Sequence, residues 1–325
     1  MKTNDFNPPL TLRSAHLQTL LGSRLVHRPS DHSKLNLQPD YVKIRMKELT
    51  DSPTLSALVN QPATSTRGLI IIIHGWLGGP YSPYVQRVTG ALLNHGFTVA
   101  RLVLRDHGGS EGANKNLFNS AKLDEVVGAV NWLQDNHATR KTGLLGFSLG
   151  GNFALRVAAK NTNNLQSCLS VCPAIEPAET IRQIDTGLPF YRKYFISKWR
   201  KSLMAKQTAF PDFYNFDQGL KLSTVSALTD YLVGRHLPFK DSQDYYAHYQ
   251  ITDSVLESIK IPTTILASAD DPVCPISCLR TLQSQEKISI VETHTGGHCG
   301  FLRDWHLKTW IEDAIPQYFE NALMV

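Results

Sequence analysis

The chain has 325 residues, 42% hydrophobic and 19% charged, a balance and length that let a globule bury its own core without a disulfide or metal staple. Its net charge of +5 and pI near 8.9 tilt the surface basic. No Lys/Arg block, zinc-finger spacing or RNA-binding signature accompanies that charge, so nucleic acid is excluded as an expected partner.

Residues 1–25 mix Asn, Asp, Pro and Arg and lack the apolar run of a secretory signal, and no stretch approaches the roughly 20 apolar residues of a spanning helix. Five scattered cysteines, Cys168, Cys172, Cys274, Cys278 and Cys299, do not form the framework of a small secreted domain. A reducing, cytoplasmic setting is expected. The i, i+4 pairs among these cysteines lack the polar, turn-rich surroundings of a zinc site, and no metal is expected there.

Residues 41–48 and 54–60 read as two short strands around the turn Thr50-Asp51-Ser52-Pro53. The run Leu69–Ile73 is aliphatic without polar alternation, the pattern of a strand covered on both faces in a parallel sheet. Helix and strand patterns then alternate: helix 83–95, strand 97–104, helix 120–137, strand 142–147, helix 149–160 and strand 165–172. Such βα alternation calls for right-handed crossovers and helices on both faces of the sheet.

Residues 173–250 break the rhythm with aromatics, basic residues and prolines, and read as a helical cap insertion. The alternation resumes with strand 261–268, helix 276–284, strand 287–293 and a final helix 301–320. The expected organisation is an α/β fold with a mostly parallel eight-stranded sheet. An N-terminal segment and half of the core would occupy 1–172, the cap 173–250, and the other half of the core 251–325.

The segment Gly146-Phe147-Ser148-Leu149-Gly150 joins an apolar strand to a helix. Its G-x-S-x-G pattern is that of a nucleophile elbow, where a serine sits on a turn so tight that its neighbours must be small. A serine hydroxyl needs a base, and the base needs an orienting acid, in the chain order acid then histidine. The loop Asp270-Asp271-Pro272-Val273-Cys274-Pro275 follows a later strand and offers the acid. Asp271 is preferred because it opens the Asp-Pro-x-x-Pro pattern, with Asp270 read as a turn residue bonding its own backbone. The next strand leads to Gly296-Gly297-His298-Cys299-Gly300, and His298 is the base, with His294 as the alternative nearby. The oxyanion donors are assigned to the amides of Leu149, after the nucleophile, and Trp76, in the turn His74-Gly75-Trp76-Leu77-Gly78-Gly79. His74 itself is read as structural. The loop Asp106-His107-Gly108-Gly109-Ser110 falls on the same sheet edge with its role open.

Taken with these motifs, His16-Leu17-Gln18-Thr19, Ser82-Pro83-Tyr84 and Asp244-Tyr245-Tyr246 give a pattern that resembles the YheT-like branch of the α/β hydrolases, which includes the ABHD1, ABHD3 and EMB8 proteins. The resemblance spans nearly the whole chain. It implies the α/β-hydrolase fold and a carboxylesterase-type serine hydrolase acting on short or medium acyl esters or lipid esters, with Ser148, Asp271 and His298 as triad and no cofactor. The 106–110 loop departs from the Arg-Gly-x-Ser-Gly form expected of that branch. An acyltransferase, or an idle binding protein on the same fold, remains an alternative at this point.

Within the inserted segment Tyr191, Phe195, Trp199 and Leu203 recur at i+4, while Arg192, Lys193, Lys198, Arg200, Lys201 and Lys206 fall largely elsewhere. Two readings follow. One is peripheral docking on anionic lipid, and the other is a cap helix that packs its aromatics over the pocket and solvates its basic face.

Overall fold

The computed structural model describes residues 6–23, 38–63, 65–137, 141–160 and 164–323. Eight strands among them, β1 (Asp40–Arg45), β2 (Thr54–Asn60), β3 (Leu69–Ile73), β4 (Thr98–Val103), β5 (Thr142–Phe147), β6 (Leu165–Val171), β7 (Thr263–Ser268) and β8 (Ile288–Thr293), form one sheet. Its order is β1-β2-β4-β3-β5-β6-β7-β8. β1 and β2 form the expected hairpin and β2 runs antiparallel to β4, while every other neighbour is parallel. Every residue of β3, β4 and β5 is buried, which is why these strands read as unbroken apolar runs.

Eleven α-helices are described: α1 (Ala15–Ser23), α2 (Pro83–Asn94), α3 (Asp124–His137), α4 (Leu149–Ala159), α5 (Pro177–Thr186), α6 (Pro189–Ala209), α7 (Val225–His236), α8 (Ser242–Ala247), α9 (Asp253–Glu257), α10 (Ile276–Arg280) and α11 (Ile311–Leu323). Alternate side chains of β3 feed two cores. Ile71 and Ile73 pack with Val126 and Val130 of α3 and Phe153 of α4. Ile70 and Ile72 pack with Val88 and Leu92 of α2 and Ile315 and Phe319 of α11. A third core joins Tyr191, Ile196 and Leu203 of α6 to Val225, Leu228 and Leu232 of α7, in the segment between β6 and β7. None of the described helices is long and apolar enough to cross a membrane.

The order β4-β3-β5 means that the chain leaves β3 to one side and returns on the other. The carboxyl ends of β3 and β5 therefore flank a crevice at the switch point, where ligands of open α/β sheets bind.

Several boundaries differ from the sequence reading, among them the end of β1, which stops at Arg45 where 48 was expected. The last helix starts at Ile311, not at 301, because Cys299, Phe301 and Leu307 all adopt positive φ, at 60°, 46° and 62°, which a right-handed helix cannot continue. α3 begins at Asp124, not at 120, since the Ser120 amide is held by Tyr245 Oη and the Ala121 amide by Asn119. The helix expected over 276–284 stops at Arg280. α1 was not anticipated at all.

Candidate active site

Ser148 follows the last residue of β5 and has φ 55° and ψ −120°, a conformation a non-glycine residue holds only under constraint. Its amide donates to Val171 O at 2.9 Å, and its carbonyl accepts from Asn152 N at 3.0 Å. The flanking glycines are steric necessities. A Cβ on Gly146 would lie 2.1 Å from Gly150 O, and one on Gly150 would lie 2.2 Å from Ile73 O. The G-x-S-x-G spelling thus records a turn folded against itself and against β3.

His298 Nε2 lies 2.9 Å from Ser148 Oγ, and Nδ1 lies 2.8 Å from Asp271 Oδ2. An ionised carboxylate only accepts, so Nδ1 carries the proton and Nε2 offers its lone pair to the serine hydroxyl. Asp271 is fixed in turn. Its Oδ1 accepts from the amides of Val273 at 2.8 Å and Cys274 at 2.9 Å, and its carboxylate is buried. Asp270 does not meet the imidazole. Its Oδ1 accepts from Ser268 Oγ and, at 2.9 Å, from the Gly297 amide, so it braces the loop that carries His298. His294 is exposed beyond the end of β8.

Leu149 is the first residue of α4, so its amide has no carbonyl partner within the helix. The turn after β3 presses on the same spot, with the Cβ position of Gly75 3.3 Å from Ser148 Cβ and Trp76 next in the chain. Tyr84 Oη accepts from Gly75 N at 2.9 Å and Ser82 Oγ from Gly79 N at 3.0 Å, which gives Ser82-Pro83-Tyr84 its task of shaping this turn. His74 is structural. Its Nδ1 donates to Gly75 O at 2.8 Å, its Nε2 accepts from Leu104 N at 3.2 Å, and burial pulls its pKa down to about 4.

In the 106–110 loop, His107 Nδ1 donates to Arg105 O at 2.6 Å, and burial, with His74 beside it, lowers its pKa to about 3. Burial raises Asp106 to about 6 even though Lys206 Nζ lies 2.8 Å away. Lys206 also donates to Asn114 O at 2.6 Å and Asn116 O at 3.1 Å, so it is a buried latch and not part of a solvated basic face as its spacing implied. The aromatic stripe of α6 is turned inward, with Phe195 stacked on Trp76 at 5.4 Å and Trp199 edge-on at 4.8 Å. Lys193, Lys198 and Lys201 remain exposed.

Two cavities meet at Ser148. The inner one, about 90 Å³, is walled by Leu149, Ile181, Trp199, Leu232 and Tyr245 under the inserted helices. The outer one, about 830 Å³, opens past Leu20, Tyr84, Tyr194, Lys201 and His298. Asn152 Nδ2 donates to Ala174 O at 2.9 Å and Tyr249 O at 2.7 Å, tying α4 to both ends of the inserted segment. Among the described residues, Cys172, His298 and Cys299 place ligand atoms within 4.8 Å of one another. Both ring nitrogens of His298 are already engaged, and the two buried thiols are pushed above their ordinary range, Cys299 chiefly by its hydrogen bond with Cys172 and Cys172 by desolvation, so these residues fit a metal poorly.

Sheet order and elbow are those of an α/β hydrolase, and the profile of the alpha/beta hydrolase fold matches residues 68–304. At 23% identity, 98% of the chain is similar to 94% of the putative esterase YheT of Escherichia coli (strain K12). At the same identity, 99% of it is similar to 80% of the monoacylglycerol lipase ABHD2 of Homo sapiens. The chain belongs to the α/β-hydrolase superfamily, in the branch that holds YheT and the ABHD proteins. Among solved structures, the Pyrococcus furiosus esterase Pf2001 superposes with a TM-score of 0.61 at 14% identity, covering 99% of both chains. Est1E from Butyrivibrio proteoclasticus gives 0.57 at 17% identity, over 89% of this chain and 100% of that one. At such identities the likeness is one of fold.

Proposed function

We propose that this chain is a serine-dependent ester hydrolase that cleaves short- to medium-chain acyl esters or lipid esters through an acyl-enzyme. The reading rests on one observation, the relay from Ser148 Oγ through His298 to a buried Asp271, at 2.9 and 2.8 Å. Relatives named as an esterase and as monoacylglycerol lipases support it.

His298 takes the serine proton as Oγ attacks the ester carbonyl, and Asp271 steadies the imidazolium that forms. The amides of Leu149 and Trp76 receive the oxyanion in this reading, each worth on the order of 10² to 10³ in rate. His298 returns its proton to the leaving alcohol, and water, deprotonated by the same ring, releases the acid. The acyl chain lies in the inner apolar cavity and the alcohol leaves through the outer one. Peripheral contact with anionic lipid would rest on Lys193, Lys198 and Lys201, since the aromatic stripe faces inward.

A fluorophosphonate probe tests the nucleophile directly. Wild type is expected to label and Ser148→Ala to stay blank. Equal labelling of the two, or none of wild type, overturns the proposal.

A further inference from the structure

We infer that α1 is a clasp for the histidine loop, with Thr19 and Gln18 acting as positioning residues for His298; the inference rests on His298 being the proton carrier. The loop has little regular structure to hold it. Gly296, Gly297, Cys299 and Phe301 take φ of 149°, 55°, 60° and 46°, so no helix or sheet ladder runs through it. Its own turn supplies two bonds, from Gly300 N and Phe301 N to Gly296 O.

Much of the remaining support comes from two consecutive residues of α1. Thr19 Oγ1 accepts from His298 N at 2.9 Å, and donates its own proton to Ala15 O at 2.8 Å, which turns its lone pairs toward the loop. Gln18 is completely buried and uses both ends of its amide. Oε1 accepts from Leu302 N at 2.6 Å, while Nε2 donates to Leu302 O at 3.0 Å and to Leu12 O at 2.9 Å. Buried polar groups are costly unless bonded, so a helix that only filled space here would carry apolar side chains.

Helix and loop also meet backbone on backbone. A Cβ on Gly22 would lie 2.6 Å from Gly300 Cα, one on Gly300 2.2 Å from Gln18 O, and one on Gly297 2.4 Å from Ala15 O. His16 Nδ1 lies 3.0 Å from Tyr191 Oη, which links the clasp to α6. The clasp lies wholly upstream of residues 68–304, the stretch that matches the common hydrolase core. It is therefore an addition to that core which reaches back to hold the proton carrier.

Misplacing a reacting group by about 1 Å can cost on the order of a hundredfold in rate. Thr19→Val keeps the shape and removes the acceptor, and Thr19→Ser restores it. With p-nitrophenyl butyrate and the full chain, Thr19→Val is expected to lower kcat by about ten- to a hundredfold with little change in KM, while Thr19→Ser stays close to wild type. An unchanged kcat in Thr19→Val, or a Thr19→Ser variant as slow as Thr19→Val, overturns the clasp. If Thr19→Val does not fold, Thr19→Ala, which adds no bulk to the interface, carries the same comparison. His298→Ala in the same assay separates the two layers. If it keeps wild-type rate, the reading of the site fails, whereas an inactive His298→Ala beside an unimpaired Thr19→Val overturns the clasp alone.

Discussion

Two neighbouring carboxylates, Asp270 and Asp271, do different work because their oxygens face different donors. Asp271 meets the imidazole with one oxygen and two backbone amides with the other, so an amide in its place keeps the packing but presents an NH₂ group where an acceptor or a second donor's partner is required. Asp271→Asn is expected to lose roughly 10⁴ in kcat with its melting temperature unchanged, because the histidine is held in the wrong tautomer. Asp270→Asn still offers a carbonyl oxygen to the Gly297 amide and should keep most of its rate. Ester hydrolysis by the two variants side by side reads the difference, and equal losses would refute the division of labour. The residues that meet here, Ser148, His298 and Asp271, could be picked out in the sequence because the turns that carry them have local constraints. Gly146 and Gly150 are forced by atoms of the turn and of β3, and the Asp-Pro-x-x-Pro loop encodes the two amides that hold Asp271. Gln18 and Thr19 stood out only within the His16-Leu17-Gln18-Thr19 resemblance, and their contacts were not readable, since their partners lie 284 and 279 residues away.

Strands were readable for a similar reason, because burial on both faces leaves no polar alternation in β3. Helix boundaries were less so. Residues 301–310 carry Phe301, Leu302 and Trp310, all buried, which mimic the apolar face of a helix, yet the backbone reverses through a bridge between Leu302 and Thr309. α6 was read correctly as a helix with an apolar stripe, but not in its polar face, because spacing alone cannot tell a solvated lysine from one that meets a buried carboxylate. Lys206 is 1% exposed and neutralises Asp106, itself buried in the loop after β4. Removing one partner of such a pair leaves an uncompensated charge, at a cost of about 3–5 kcal/mol. Lys206→Met is therefore expected to lower the melting temperature by roughly 5 °C for a chain of this size. The double variant Lys206→Met/Asp106→Asn should recover much of the loss, since no charge is left stranded and Asn tolerates the φ of 54° and still accepts from the Phe118 amide. Thermal unfolding by circular dichroism decides it, and a single variant as stable as wild type would remove the latch from the account of how α6 is docked.

At the scale of the whole molecule, two cavities of different depth meet at Ser148, and the proposed reading gives each one half of an ester. The sheet's carboxyl edge carries Ser148, the inserted helices roof it, and the stacked pair Trp76 and Phe195 borders both cavities where they meet. Ile181, on α5, lines only the inner cavity, and Tyr194, on α6, lines only the outer one. If the acyl chain occupies the inner cavity, Ile181→Phe shortens the longest chain accepted, because a methylene gained or lost in an apolar pocket is worth about 1–3 kcal/mol, or 10–200-fold in kcat/KM. Acetate esters, which do not reach that depth, should be cleaved as by wild type. Tyr194→Ala should leave chain-length preference alone and change discrimination among alcohols at a fixed acyl group. Measuring kcat/KM over p-nitrophenyl esters from acetate to decanoate, and over butyrate esters of different alcohols, separates the two effects. An Ile181→Phe variant that discriminated among alcohols but not acyl chains would reverse the assignment, placing the acyl group at the open mouth and the leaving group beneath the roof.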